Sequence, residues 1–307
     1  MDWHEQFKQW AKPPTEEEEA RASRAADLIN RAVRETKILD GVNFAVYPTG
    51  SYRNNTNIKL GSDVDVALVL KDAIYSWLPE GLTTADVGLV GNVTYGMNEF
   101  RRDVGRALEV QFGRAVKFGT KTYRIAGDAS RLPADATPFL VHRRYSGRRD
   151  AFGRWEYHEG VELRPSDDPG RRIINWHEDH YERGVARNTA TRRRFKRVAR
   201  ILKQLREAMA TRGNIAEQAA AAPAASFLLE CLAYNAPDGS YNRNEGTYYD
   251  DVRAVISDGY HKTGSDQTAG TMLEVNGRKA LFGAHQSWTH GQAHEFLLRA
   301  WQFVGFQ

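Results

Sequence analysis

Two aspartates at the start of an apolar run have the type and spacing for metal chemistry. Asp63 and Asp65 flank one valine and lead into the β-branched stretch that ends at Leu70. On a strand, residues two apart point to the same face, so their Cα atoms lie roughly 6 to 7 Å apart. Carboxylates at that spacing suit one divalent ion or a pair of ions. The alternative is a strand edge with solvated aspartates, which is the usual meaning of an isolated Asp-x-Asp.

The residues before this pair indicate a phosphate-binding turn. Eleven residues separate Gly50-Ser51 from Asp63. Glycine lets the backbone approach a phosphate closely, and the serine hydroxyl can donate to its oxygens. Phosphoryl transfer to a hydroxyl needs metal ions, usually framed by three carboxylates. We expect Asp135 to be the third, although an aspartate two residues after Pro133 is also typical of an ordinary turn.

Positive charge for binding a triphosphate comes from the second half of the chain. A basic helix predicted over 189–209 carries Lys196, Arg200 and Lys203 along one face, at i, i+4 and i+7. The alternative is a solvated basic helix face. Ser226, at the start of an apolar helix, can add a hydroxyl and amide N–H groups to the same phosphates, or be an ordinary N-cap serine.

The elements that must position these residues follow from hydrophobic periodicity and turn signals. Helices are predicted over 3–10, 15–35, 94–112, 189–209 and 226–235, with two more before the C-terminus. Strands are predicted over 43–47, 63–70, 121–125, 136–141 and 155–163, with Gly50 and Ser51 in a turn. The Arg-, Gly-, Asp- and Pro-rich stretch 146–170 is otherwise predicted to be irregular. These elements indicate a mixed α+β lobe followed by a helical lobe.

Composition narrows the class of protein. The chain has 307 residues, 41% hydrophobic and 27% charged, which suits one large or two modest domains. A net charge of +4 is mild for a genome-binding protein but fits an enzyme that handles polyanions such as nucleoside triphosphates. The single cysteine, Cys231, excludes an internal disulfide framework and favours a reducing cytoplasm. No apolar run or leader pattern predicts a membrane or targeting segment.

Together these residues resemble a known family. Gly50-Ser51, the Asp63-Val-Asp65-Val motif and Asp135 are similar to the polymerase β-like nucleotidyltransferases, in particular the bacterial cGAS/DncV-like nucleotidyltransferases. Further parts of the chain resemble the E clade of that family, the CdnE-type enzymes: the segments 50–58, 175–184 and 226–235, the residue Asn188 and the pair Phe195-Lys196. The resemblance covers most of the chain, in order.

The resemblance implies a fold and a set of site residues. The fold is a nucleotidyltransferase core with a mixed sheet and helices, residues 1–187, packed against a helical lobe, residues 188–307, with the active site in the cleft. The resemblance implies two Mg²⁺ ions, or Mn²⁺ instead, on Asp63, Asp65 and Asp135. The triphosphate is expected on Gly50, Ser51, Lys196, Lys203 and Ser226.

The resemblance also implies a reaction. Such enzymes join two nucleoside triphosphates in sequential steps and release pyrophosphate twice, without a nucleic-acid template. The cyclic dinucleotide product activates a separate effector protein in anti-phage (CBASS) defence. An asparagine at the position of Asn175 goes with uridine selection in the E clade, and its amide can read a pyrimidine edge. We therefore expect UTP and ATP as substrates and cyclic UMP-AMP or cyclic di-UMP as product, unless Asn175 is simply a strand-end asparagine.

Two other functions are compatible with the motifs. One is a template-independent transferase that adds nucleotides to RNA ends or to a protein, which would give a linear or protein-attached product. The other is a nucleotide-binding subunit without activity, which a missing carboxylate would indicate. All three carboxylates are present in this chain.

Overall fold

The strands form a mixed sheet that carries the predicted carboxylates. The structure is a computed structural model that describes residues 1–58, 63–91 and 93–307, and seven strands lie in these ranges. The strands are β1 (Phe44–Pro48), β2 (Val64–Trp77), β3 (Val116–Phe118), β4 (Tyr123–Ile125), β5 (Ala134–Arg149), β6 (Trp155–Leu163) and β7 (Ile173–Asn175). Residues 59–62, which come between Ser51 and Asp63 in the sequence, lie outside the described part.

The described residues also form α-helices before, between and after these strands. They are α1 (Trp3–Trp10), α2 (Glu16–Glu35), α3 (Gly50–Arg53), α4 (Met97–Phe112), α5 (His177–Ala190), α6 (Arg194–Arg212), α7 (Ile215–Ala221), α8 (Ser226–Asn235), α9 (Tyr249–Thr263), α10 (Asp266–Ala269) and α11 (His290–Val304). Short 3₁₀ turns occupy Gly113–Ala115 and Asp238–Ser240. No helix in the described ranges combines the length and the apolar character that crossing a membrane requires.

The order of the sheet is β1-β2-β5-β4-β3, with β6 on β5 and β7 on β6. The central pair, β2 and β5, is parallel, and the neighbouring pairs are antiparallel. The first half of β2 is buried from Val66 to Leu70 without a break, which is typical of a central strand covered on both faces. The apolar run after Asp65 therefore fixes this strand in the middle of the sheet.

By their contacts the residues fall into two compact units, which we describe separately. The sheet unit comprises 15–53 and the described residues from Asp63 to His177. Its core joins α2 and α4 to the sheet. The largest fully buried side chains there are Ile29, Leu68, Leu70, Phe100, Leu108 and Ile125. The apolar faces of both helices are those that the 3.6-residue period predicts.

The helical unit comprises 1–14, 54–58 and 178–307. Its core includes the buried stripe predicted on the basic helix: Phe195, Val198, Leu202 and Leu205 are all fully buried. Helix α1 packs here through Phe7, so it does not group with residues 15–187 as the sequence indicated. The aromatic spacing of α1 predicted a packing helix correctly, but it contained no information on which unit would receive it. The domain boundary at 187/188 stays a prediction.

Two stretches differ from the elements predicted. Residues 146–149 are not irregular, because β5 continues to Arg149 and pairs with β6 across a register shift after Tyr145. The Arg149 guanidinium lies 4.0 Å from the centroid of the Trp155 ring, a cross-strand contact that stabilises the pairing. The helix predicted over 189–209 is interrupted, because Arg192 and Arg193 have φ values of 48° and 65°. Its basic part is α6.

Candidate active site

Strand register brings the predicted carboxylates together. Asp65 on β2 lies directly opposite Asp135 on β5 in the parallel pair, and Asp63 immediately precedes β2. Asp135 is thus a strand residue and not part of the turn after Pro133. The sequence predicted both segments as strands, but only pairing could show that the two aspartates are register partners.

Arg124 is a residue that the sequence analysis missed. It lies on β4 opposite Asp135, and its guanidinium Nη2 donates to Asp63 Oδ2 at 2.6 Å. Its Nε is 3.9 Å from Asp135 Oδ1. The signal was available, because a hairpin between the strands predicted at 121–125 and 136–141 places residue 124 near residue 135. Arg124 holds two of the three carboxylates.

The electrostatics of this cluster favour a cation. Burial, together with the charges of Asp135 and Asp63, raises the pKa of Asp65 to about 6. Burial and Asp63 also raise the pKa of Asp135, against the opposing effect of Arg124. Asp135 Oδ1 is buried and accepts no hydrogen bond from any residue that the structure describes. An ion with oxygen ligands would remove this repulsion and fill that acceptor.

The donor chemistry of the cluster fits Mg²⁺ or Mn²⁺, which take carboxylate oxygens as ligands. Among the described residues, no group of three Asp, Glu, His or Cys side chains is close enough to bind one metal ion. The cation that contacts Asp63 here is the Arg124 guanidinium. Metal binding by all three aspartates therefore requires Asp63 to exchange Arg124 for an ion.

Gly50 places a helical turn directly against Asp65. Its φ is +62°, and a Cβ added there would lie 2.0 Å from Asp65 Oδ2, which no other amino acid could tolerate without movement. The Thr49 N–H donates to the Asp65 carbonyl at 2.8 Å. The predicted Gly50-Ser51 turn is the first turn of α3, and Ser51 is half-buried within it. Close backbone approach is the property that the sequence predicted for this glycine.

In the helical unit, Lys203 and Arg200, two of the three predicted cationic residues, form hydrogen bonds to other residues of the unit. Lys203 is buried, and its ammonium donates to the Thr56 carbonyl (2.9 Å), the Thr56 hydroxyl (3.2 Å) and Glu230 Oε2 (3.0 Å). Arg200 donates to the carbonyls of Ala11 and Asn55. These two side chains fasten residues 54–58, the segment that follows α3 in the chain.

Lys196 differs from its two neighbours on α6. It is half-buried, and its ammonium lies 5.9 Å from the centroid of the Tyr181 ring. Burial lowers its pKa, partly offset by the charge of Glu230. Within the described ranges its ammonium makes no hydrogen bond or ion pair. Of the predicted line of charge, Lys196 is the member available to an anionic ligand.

Glu230 organises the buried network around Lys203. One carboxylate oxygen bonds Lys203 and the Thr56 hydroxyl, and the other lies 2.8 Å from His180 Nε2. Burial opposes its ionisation, but Lys203 and the hydrogen bonds from His180 and Thr56 hold its pKa well below the usual range. Glu230 was not among the site residues predicted from the sequence. An acid inside the apolar run of α8, four residues after Ser226, was the available signal.

The two remaining predicted residues lie in separate units. Ser226 is the first residue of α8 and is not its N-cap, because that position belongs to Ala225. Asn175 ends β7, opposite Val161, and is half-buried. Its side-chain amide forms no hydrogen bond to any residue of the described part. The next residue, Trp176, is buried with its ring 5.6 Å from that of His142. The Asn175 amide is thus held beside a rigid core and is open to a ligand.

Comparison with known proteins agrees with this architecture. Residues 182–305 match the family model of the cGAS/DncV-like nucleotidyltransferase C-terminal helical domain. The chain is 34% identical to the cyclic dipyrimidine nucleotide synthase CdnE of Legionella pneumophila over 310 residues, 99% of this chain and 98% of that protein.

Two solved structures are similar over nearly their whole length. The Rhodothermus marinus CdnE c-UMP-AMP synthase with Apcpp and Upnpp has a TM-score of 0.80 and 29% identity, covering 99% of this chain and 97% of that one. The Elizabethkingia meningoseptica CdnE cyclic dinucleotide synthase with GTP and Apcpp has a TM-score of 0.76 and 27% identity, covering 99% of both chains. The predicted α+β fold class is confirmed. The chain belongs to the cGAS/DncV-like nucleotidyltransferases and, within them, to the CdnE-type enzymes, nucleotidyltransferases that synthesise cyclic dinucleotides.

Proposed function

We propose that this enzyme joins UTP to ATP, or two molecules of UTP, and releases a cyclic dinucleotide with at least one uridine. The observation that carries the reaction is the Asp65–Asp135 register pair beside the close approach of Gly50. The uridine is supported by similarity to a cyclic dipyrimidine nucleotide synthase and to a c-UMP-AMP synthase. The product is proposed to act on a separate effector protein in anti-phage defence.

Asp63, Asp65 and Asp135 are the proposed ligands of two Mg²⁺ ions, with Mn²⁺ as the alternative. When bound, such ions neutralise triphosphate charge and lower the pKa of an attacking hydroxyl. Asp135 is the proposed acceptor of the 3′-hydroxyl proton, because its buried Oδ1 has no other donor. Arg124 then becomes free to bind a phosphate oxygen when Asp63 is used elsewhere.

The triphosphate is proposed to contact Gly50, Ser51, Lys196, Lys203 and Ser226. Gly50 and Ser51 supply backbone N–H groups and a hydroxyl from the turn against Asp65. Lys196 supplies an ammonium without an ion-pair partner in the described residues. Lys203 contributes by exchanging one of its bonds to Thr56 for a phosphate oxygen, while its ion pair with Glu230 holds it in place.

The proposed product is tested by mass spectrometry of a reaction with Mg²⁺ and all four ribonucleoside triphosphates. Cyclic UMP-AMP or cyclic di-UMP is the expected product. A linear or protein-attached product would instead support a template-independent transferase acting on RNA ends or a protein. Absence of any product would support a silent nucleotide-binding subunit. A cyclic product of two purines would agree with the proposed enzyme class but contradict the proposed selection of uridine.

Replacing Gly50 with alanine is expected to reduce the transfer rate about 100-fold. The added Cβ meets Asp65 Oδ2, and the positive φ adds backbone strain, so the turn or the carboxylate must move. Initial rates of pyrophosphate release measure the effect. Gly41→Ala is the matched control, because Gly41 also has a positive φ but an added Cβ meets nothing within 4 Å. Equal rates for the two variants would contradict the role of the close approach.

Asn175→Ala is expected to lower uridine incorporation at least about tenfold while ATP is still consumed. The reason is that an amide can pair with a pyrimidine edge through one donor and one acceptor, and methyl cannot. Competition between UTP and ATP in one reaction measures the ratio directly. Asn30→Ala, at a half-buried position of α2, controls for loss of a half-buried asparagine. An unchanged ratio of uridine to adenosine incorporation would show that Asn175 is an ordinary strand-end residue.

A further inference from the structure

A cavity in the sheet unit lies apart from the carboxylates. Its volume is about 730 Å³, which is within the range of small-molecule sites. It is bounded by α4, by the strands β3 and β4, and by residues 164–169. Its most informative lining residues are four arginines and two aromatic residues: Arg101, Arg102, Arg106, Arg164, Phe118 and Tyr123.

Strand alternation places this cavity on the opposite face of the sheet from the candidate active site. Tyr123 and Arg124 are successive residues of β4, so their side chains point to opposite faces. Arg124 bonds Asp63, whereas the Tyr123 hydroxyl donates to the Arg101 carbonyl of α4 at 2.6 Å. A ligand in the cavity therefore does not occupy the proposed substrate site, although it contacts the residue next to Arg124.

The charge of the cavity is only partly balanced. Arg102 pairs with Asp103, and Arg164 pairs with Glu162. Arg101 donates to the Arg164 carbonyl at 2.6 Å and has no acidic partner in the described residues. Arg106 is exposed and, within the same ranges, makes no hydrogen bond or ion pair. Two guanidinium groups are therefore available for an anion at one wall.

The other wall offers an aromatic face. Phe118 is 58% exposed although its ring lies 5.3 Å from that of Tyr123 in an edge arrangement. Gly105, in the interior of α4, makes this possible, because a Cβ there would lie 2.9 Å from Phe118 and 3.1 Å from Tyr123. A glycine inside a helix is unfavourable without such a reason. The exposed ring is positioned to stack on a planar group.

We propose that this cavity binds a small organic anion that carries an aromatic ring. The ring stacks on Phe118, and a phosphate or carboxylate group accepts hydrogen bonds from Arg106 and Arg101. The volume suits a ligand about the size of a nucleoside monophosphate. Because the cavity lies on the reverse face of the sheet, this ligand does not occupy the proposed substrate site.

The test uses the ε-methyl group of Met97, which lines the cavity. The full-length enzyme labelled with ¹³C-methyl methionine is titrated with 2-naphthyl phosphate, 2-naphthoate and 2-naphthol. We expect a saturable shift of the Met97 signal with the phosphate, the carboxylate or both, and a weaker response to naphthol. Met209 and Met272, buried in the helical unit, should not move and serve as internal controls.

Two variants locate the binding groups. Arg106→Ala and Phe118→Ala should each weaken binding of the responding anion about tenfold. Arg114→Ala, an exposed arginine that does not line the cavity, should leave it unchanged. A urea unfolding midpoint equal to that of the parent enzyme shows that each variant is folded. The proposal is overturned if Met97 responds to none of the three compounds, responds equally to naphthol, or keeps the same affinity in Arg106→Ala.

Discussion

Replacing Asp135 with asparagine is expected to slow nucleotide transfer by about 10³-fold. Asparagine keeps the size of the side chain but removes the charge and the proposed proton acceptor opposite Asp65. The rate of pyrophosphate release from UTP and ATP, measured at saturating substrate, gives the effect on kcat. The loss should appear in kcat and not only in KM, since the group acts on the reacting atoms.

The same variant should not lose stability, which separates catalysis from folding. The charge of Asp135 raises the pKa of Asp65, so its removal relieves repulsion inside the cluster. Urea unfolding should therefore give a free energy at least equal to that of the parent enzyme. Asp72→Asn, at an exposed position of the same strand β2, is the matched control and should keep full activity. Retention of more than a tenth of the rate by Asp135→Asn would contradict the site.

Lys203→Met is expected to destabilise the enzyme by about 3–5 kcal/mol. The substitution leaves the Glu230 carboxylate buried, and among the described residues only His180 and Thr56 remain as its hydrogen-bond partners. Urea unfolding measures the loss. Adding Glu230→Gln to Lys203→Met should recover much of it, because the neutral amide no longer needs a cation. Lys196→Met, on the same helix without an ion pair in the described residues, should cost less than about 1 kcal/mol.

The pH dependence of stability follows from the same network. The pKa of Glu230 is lowered from its ordinary value of 4.5, so the contribution of its ionised form is complete above about pH 4.5 and is lost as pH falls below it. The parent enzyme should therefore lose more stability between pH 5 and about pH 3 than the double variant does. Equal pH dependence of the two proteins would show that Glu230 is not ionised in the folded state.

The parts of the site that depend on local patterns were predictable. The two-residue period of Asp63-Val-Asp65-Val predicts a strand that begins at Asp63. The structure has this strand, β2, in the centre of the sheet, with Asp65 on it and Asp63 immediately before it. Gly50 was predicted to let the backbone approach a phosphate, which stays a prediction, and the structure shows its backbone close to Asp65. Both features are encoded within about 15 consecutive residues.

The parts of the site that depend on residues distant in sequence were not predictable. Helical spacing showed that Arg200 and Lys203 share a face of α6, but whether that face is solvated depends on Thr56, 147 residues away in sequence from Lys203. Arg124 became part of the site only through pairing of β4 with β5. The predicted strand ended at residue 141, whereas β5 continues to Arg149. A segment rich in arginine and glycine does not indicate a strand by its composition, and the contact of Arg149 with Trp155 depends on pairing with β6.

The most direct test of the proposed centre is its stoichiometry for Mn²⁺. Electron paramagnetic resonance of the enzyme with a non-hydrolysable UTP analogue reports the number of bound ions. We predict two ions per chain for the parent enzyme, with at least one lost in Asp65→Asn and none lost in Asp72→Asn. Unchanged stoichiometry in Asp65→Asn would contradict metal binding by the carboxylates of β2 and β5.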